Sequence, residues 1–310
     1  MFQLVEKRRW YFILSAVIII AGLIAMIYST VTTGMPFKVS IDFTGGTIWV
    51  LEFPQAVPPA DLRAIFVENG LPDVQVTTVG NPQTLQVRTK AVTPEEKVQL
   101  ETAIRARFGS GVTELEFNEM GPALGSEVSQ SAALAVIAAA GAILLFLTLA
   151  FRKVAHPFRY GVSAVAGMVH DILVTLGVFS ILSLLLGWEA DALFLTALLT
   201  VIGFSVQDKI VVFDRIRENS PKYRGEAFTR IADRSLLETL HRSLATQLCT
   251  MFMMVALLLF GGATIRQFIA VMFLGLISGT YSSIFISVPI LVAWEERDFL
   301  GTKARQPASA

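Results

Sequence analysis

The sequence predicts a membrane protein: an all-α bundle of six transmembrane helices, with one external ferredoxin-like α+β domain between spans one and two. Three observations lead there. Hydrophobic residues make up 54% of the 310 and charged residues only 16%, against about 25% in an ordinary soluble domain. The mean hydropathy is +0.61. The apolar residues gather in runs long enough to cross about 30 Å of hydrocarbon, and one stretch of quite different composition interrupts them.

The runs are Trp10–Ser29, Val128–Phe151, Tyr160–Trp188, Ala192–Phe213, Ser243–Ile265 and Gln267–Trp294. The first follows Lys7, Arg8 and Arg9, as a signal peptide would. It is too long for a typical signal core, however, and no A-x-A site follows, so it reads as an uncleaved helix. Basic residues set the orientation. They crowd the N-terminus, the loop after span two (Arg152, Lys153, Arg159), the stretch after span four (Arg215, Arg217, Lys222, Arg224, Arg230, Arg234) and the tail (Arg297, Lys303, Arg305). The opposite loops carry Glu189, Asp191 and Arg266. Both termini are therefore expected in the cytoplasm. The expected layout is residues 1–30 for the N-terminus and first span, 31–127 for an external head, 128–294 for the remaining spans with a cytoplasmic loop at 214–242, and 295–310 for a tail. The 214–242 loop, with Phe228, Ile231, Leu236 and Leu237 among its charges, reads as an amphipathic surface helix.

Within 31–127, Thr47–Phe53 is β-rich and Pro59–Asn69 reads as a helix with Leu62, Ile65 and Phe66 on one face. Val74–Val79 and Thr84–Thr89 alternate as strands around the turn Gly80-Asn81-Pro82. Thr93–Phe108 is a second helix, with Thr93 and Glu96 as a capping box and Pro94 at its first position. Val112–Phe117 is a last strand. The order is β-α-β-β-α-β. No nucleophile–base pair stands out in this domain, which reads as a binding or mechanical head and not an enzyme.

Composition closes several other classes. Lys plus Arg and Asp plus Glu both number 25, without the basic excess of a nucleic-acid binder. Cys249 is alone, and His156, His170 and His241 are widely spaced, so neither a disulfide nor a local metal motif is expected. No cofactor is expected.

Ionisable residues inside spans are costly and mark candidate functional sites. Asp208 lies in span four about 9 Å, at 1.5 Å per residue, inside Asp214. Lys209 beside it is long enough to snorkel to the surface. Arg242 opens span five at a similar depth; it is either an anchor for the helix end or a partner for Asp208. His170 and Asp171 lie in span three. Neighbours in sequence do not face one direction on a helix, so the pair is expected to serve two different surfaces. Gln207 is a further polar neighbour. Gly275 and Gly279 form a G-x-x-x-G on span six, suited to close helix contact. Asp42, Gly45 and Gly46 lie where the chain leaves the first span, and the two glycines serve equally as a tight turn or a hinge.

Four stretches together are similar to one family: Asp42-Phe-Thr-Gly-Gly-Thr47, Met120-Gly-Pro-Ala-Leu-Gly-Ser-Glu127, Val169-His-Asp-Ile-Leu-Val-Thr-Leu-Gly177 and Ile202–Asn219, with Thr239-Leu-His-Arg242 beside them. They resemble the SecF family, the smaller membrane subunits of bacterial SecDF complexes in the resistance–nodulation–division superfamily. The resemblance implies a subunit that works with SecD, beside the SecYEG channel and YajC, after SecA has started preprotein export. It implies the bacterial inner membrane as location, and a proton gradient, or sodium in some members, as the energy source. The family's intramembrane aspartate falls on Asp208 and its arginine on Arg242. Where the family has Tyr, Asn and Thr or Ser around the aspartate, this chain has Phe204, Gln207 and Lys209. Competing classes are a drug or lipid exporter subunit of the same superfamily, an intramembrane aspartyl protease using Asp171 and Asp208, and a passive scaffold. The protease would need a G-x-G-D stretch, which Ser205-Val-Gln-Asp208 lacks.

Overall fold

The structure is a computed structural model that describes residues 4–152, 154 and 156–298. Lys153, and Lys303 and Arg305 in the expected tail, lie outside the described residues. The chain forms two compact units, one of Val39–Ala133 and the other of the segments before and after it. Among the described residues, six helices are long and apolar enough to cross a membrane.

Helix α1, Arg8–Thr33, ends on Gly34 in the left-handed region at φ 81°. The inserted unit opens with a single helical turn, α2, Ile41–Thr44. Gly45 and Gly46 follow at φ 72° and 129°. They turn the chain out of α2 into strand β1, Gly46–Glu52. A side chain at Gly46 would also lie 2.7 Å from the Thr89 carbonyl, so position and conformation both call for glycine. Then come α3 (Pro59–Glu68), β2 (Gln75–Thr78), β3 (Thr84–Thr89), α4 (Pro94–Phe108) and β4 (Thr113–Met120).

The strands form one antiparallel sheet in the order β2-β3-β1-β4. Alternate residues of β1 turn inward. Trp49 and Leu51, with Phe53 just beyond, join Leu62, Ile65, Phe66, Leu85, Val87, Leu100 and Ile104 in one core. The capping box at Thr93 and Glu96 is formed. The last strand runs three residues beyond the expected Phe117, because β1 offers it partners as far as Gly46, opposite Met120.

The remaining helices are α5 (Pro122–Ala150), α6 (Pro157–Leu186), α7 (Ala192–Lys222), α8 (Phe228–Phe260), α9 (Ala263–Ser282) and α10 (Val288–Glu296). A widened π-helical turn, Ser283–Ser287, joins the last two. In lipid, helix association rests on close packing more than on burial of apolar area, and glycine permits the closest approaches. A Cβ at Gly22 of α1 would lie 2.6 Å from the Cα of Gly177 in α6. On α9, Gly275 faces Val201, and a Cβ at Gly279 would lie 3.3 Å from the Ser205 Cα. The G-x-x-x-G of span six thus packs on α7 of its own chain. At one end of the bundle Phe151 stacks on Tyr160 with centroids 5.2 Å apart, and Tyr160 meets Phe213 edge-on at 5.5 Å.

The region expected as a 214–242 loop with a surface helix is instead two helix ends. Helix α7 continues to Lys222, α8 begins at Phe228, and Gly225 at φ 100° turns the chain between them. Charged residues do not end a helix when they find partners along it. Arg217 pairs with Asp214 at 2.6 Å and Arg215 with Glu218 at 2.7 Å. Across the hairpin, Arg215 meets Glu238 at 2.5 Å, and Asn219 Nδ2 donates to Ser235 Oγ at 3.0 Å and to Glu238 at 2.8 Å.

Three helices leave much of their apolar surface uncovered by this chain: on α1, Val17, Ile24 and Ile27 are exposed. Leu134, Ile137, Phe146 and Leu149 of α5 are exposed, as are Phe252, Met253 and Phe260 of α8.

Candidate functional site

Successive residues on α7 point about 100° apart, and this separates Asp208 from Lys209. Lys209 turns inward and is fully buried. It does not snorkel, because its ammonium finds oxygen acceptors inside the bundle. Nζ lies 3.0 Å from Asp171 Oδ2, 2.6 Å from the Ser205 carbonyl, 2.7 Å from Ser205 Oγ and 2.9 Å from Ser282 Oγ. Gly167 on α6 clears the way: a Cβ there would lie 2.5 Å from Lys209 Cε.

Asp171 is the centre of this cluster. Ser205 and Ser282 each donate to Oδ2 at 2.6 Å, beside the lysine. Ser278 donates to Oδ1 at 2.7 Å, and His170 Nδ1 lies 3.0 Å from the same atom. The imidazole thus bends back to its neighbour through Nδ1, although the two residues reach different helices: Asp171 meets α7 and α9, and His170 reaches α1. The ring's Nε2 lies 3.0 Å from Ser15 Oγ on α1. A buried charge pair is stable when hydrogen bonds occupy the remaining lone pairs and protons. Here serines from α7 and α9, with a histidine from α6, meet that condition. Ser15, Ser205, Ser278 and Ser282 were not singled out by the sequence, in which isolated serines in spans are common.

Asp208 faces α8. It is 4% exposed, and Gln247 Nε2 donates to its Oδ2 at 2.6 Å. The expected pair with Arg242 is not formed. Thr239, Ser243 and Gln247 recur every four residues and form the buried stripe of α8. Arg242 lies five residues before Gln247, about 140° round the helix, and is exposed. The polar stripe at 239, 243 and 247 is the signal that would have found Gln247. Gln207 is exposed and joins neither cluster. Asp42 sits in the first turn of α2. Among the described residues, no group of three His, Cys, Asp or Glu side chains could hold a metal ion.

The helices and these two buried carboxylates define a class: a multi-pass membrane protein with ionisable groups fixed inside its spans. Comparison with known proteins narrows it. The model of the family described as "Protein export membrane protein SecD/SecF, C-terminal" matches residues 100–297. The protein translocase subunit SecF of Anaerolinea thermophila is 46% identical over 315 aligned residues, covering 100% of both chains. That of Thermobaculum terrenum is 44% identical over 311, covering 97% of this chain and 96% of the relative. The crystal structure of SecDF from Thermus thermophilus, described as a translocon-associated membrane protein, superposes with a TM-score of 0.77 at 33% identity. It covers 96% of this chain, which spans 39% of that longer one. The chain belongs to the SecD/SecF family of protein-export membrane proteins.

Proposed function

We propose that this chain is the SecF-type subunit of a protein-export machine and that it couples proton movement through its spans to work on the preprotein. It pairs with a SecD-type chain beside a SecYEG channel, with YajC and downstream of SecA, and it is not an enzyme. Both termini lie in the cytoplasm of a bacterial inner-membrane protein. The inserted unit, with its β-α-β-β-α-β order and β2-β3-β1-β4 sheet, is a ferredoxin-like head on the outer side that moves during the cycle. The full-length likeness to SecF subunits supports the assignment. The longer SecDF chain, of which this one spans 39%, supports a companion. The exposed flanks of α5 and α8, the latter including Arg242, supply surface for it.

The observation that carries the coupling is Asp208, a buried carboxylate held by one uncharged partner, Gln247. A group so held changes charge with less disruption than Asp171, which is bound on both oxygens. Asp208 alternates between protonated and charged states, with the Gln247 amide donating to the charged one. Each charge moved through 100 mV supplies about 2.3 kcal/mol, a bias of roughly fifty-fold on a two-state movement. Asp208→Asn keeps the shape and removes the titration. In vesicles bearing the complete export machinery, this variant should assemble normally and lose the part of export that depends on an imposed gradient. Full gradient stimulation in Asp208→Asn would sink the coupling and favour a passive scaffold.

A further inference from the structure

Four oxygen atoms surround Lys209 Nζ at 2.6–3.0 Å: Asp171 Oδ2, the Ser205 carbonyl, Ser205 Oγ and Ser282 Oγ. They are one carboxylate, one main-chain carbonyl and two hydroxyls, drawn from three helices. A carboxylate with neutral oxygens, and no sulfur, is the donor set of a hard cation, and oxygens placed this way substitute for a cation's hydration shell in membrane proteins. A single carboxylate balances a single positive charge. The lysine ammonium carries that charge and reaches the cage through the slot that Gly167 leaves open.

A fifth oxygen borders the slot. Ser287 Oγ, in the π-helical turn, is buried and has no hydrogen-bond partner. It and Lys209 Cε both lie against the position that a Gly167 side chain would fill. The lysine gives this hydroxyl no hydrogen bond, so one buried oxygen beside the slot is left unused.

We propose that the Asp171–Ser205–Ser282 cage is an alkali-cation site kept filled by the chain's own ammonium, so that Lys209 makes this chain independent of Na+ and K+ at that place. The cage stands on its own geometry; its meaning for export rests on the ion-coupled reading above.

The test uses the purified full-length chain in detergent, with NaCl, KCl or choline chloride at equal ionic strength. Thermal unfolding and equilibrium binding of radioactive Na+ or Rb+, the latter a stand-in for K+, are the two readouts. The wild type should show one midpoint in all three salts and no saturable binding. Lys209→Ser should bind Na+ or Rb+ at a single saturable site, with a midpoint that rises with cation concentration. Asp171→Asn combined with Lys209→Ser should lose both effects. Saturable binding by the wild type that Asp171→Asn removes would overturn the proposal. So would a Lys209→Ser variant with the same midpoint in every salt and no bound cation. If Lys209→Ser is poorly folded in choline, recovery in Na+ or K+ supports the site, and failure to recover in either overturns it. Export assays separate this from the coupling step: an Asp208→Asn variant that kept full gradient stimulation would remove the coupling while leaving cation binding by Lys209→Ser untouched.

Discussion

Asp171→Asn is the sharpest test of how the bundle holds its charges. The carboxylate accepts from Lys209, Ser205 and Ser282 on Oδ2 and from Ser278 on Oδ1, with His170 beside it. The amide nitrogen accepts nothing, so one whole set of donors loses its partner, and the fully buried ammonium loses its counter-charge. Removing one member of a buried pair costs about 3–5 kcal/mol. At roughly 2–4 °C per kcal/mol for a large domain, the midpoint of the helical unit should fall by on the order of 6–20 °C. Lys209→Met in the same chain removes the stranded charge, and the double variant should recover more than half of the loss. Tryptophan fluorescence during thermal unfolding in mild detergent reads this. Trp188 and Trp294 lie in the helical unit, and Trp49, in the core of the inserted unit, is an internal control. A fall below about 1 kcal/mol for Asp171→Asn, or a double variant whose cost is the sum of the singles, would refute the reasoning.

Two further substitutions probe packing and capping. Gly177→Val places a branched side chain where even a single Cβ would lie 2.7 Å from the Gly22 Cα; α1 must retreat, at the upper end of about 1–3 kcal/mol, and faster proteolysis of the α1 region is the readout. Thr93→Ala removes the hydroxyl that accepts from the Glu96 N–H; it should cost about 1 kcal/mol and shift only the transition reported by Trp49.

The spans and the inserted unit were legible because each rests on local chemistry. Apolar runs disclose the helices, and Thr93, Pro94 and Glu96 mark a helix start wherever they occur. The helix ends at 214–222 and 228–242 were not legible as such, since their stability comes from pairs such as Arg215–Glu238 that close only when the hairpin forms. The site divides in the same way. Cost in lipid singles out Asp171, Asp208 and Lys209 from the sequence alone. Their partners depend on rotation about each helix axis, which depth does not fix. Arg242 sits at a suitable depth but on the exposed flank. Lys209 can reach the surface, yet four oxygens brought together by folding hold it inside. Gly275 and Gly279 promised close contact, and only the fold tells that α7 receives it.

The unbroken run of α7 through the polar cluster and on to the hairpin turn makes it a lever arm. Its 31 residues span about 46 Å, well beyond the roughly 30 Å of hydrocarbon. From Asp208 to the turn at Tyr223 the helix runs about 22 Å, so a tilt of about 10° at the carboxylate carries the turn about 4 Å. The partner helix α8 is tied to it there by Arg215, Asn219 and Glu238, so the two ends travel together. A probe at Tyr223 would thus register a displacement that is too small to see at Asp208 itself.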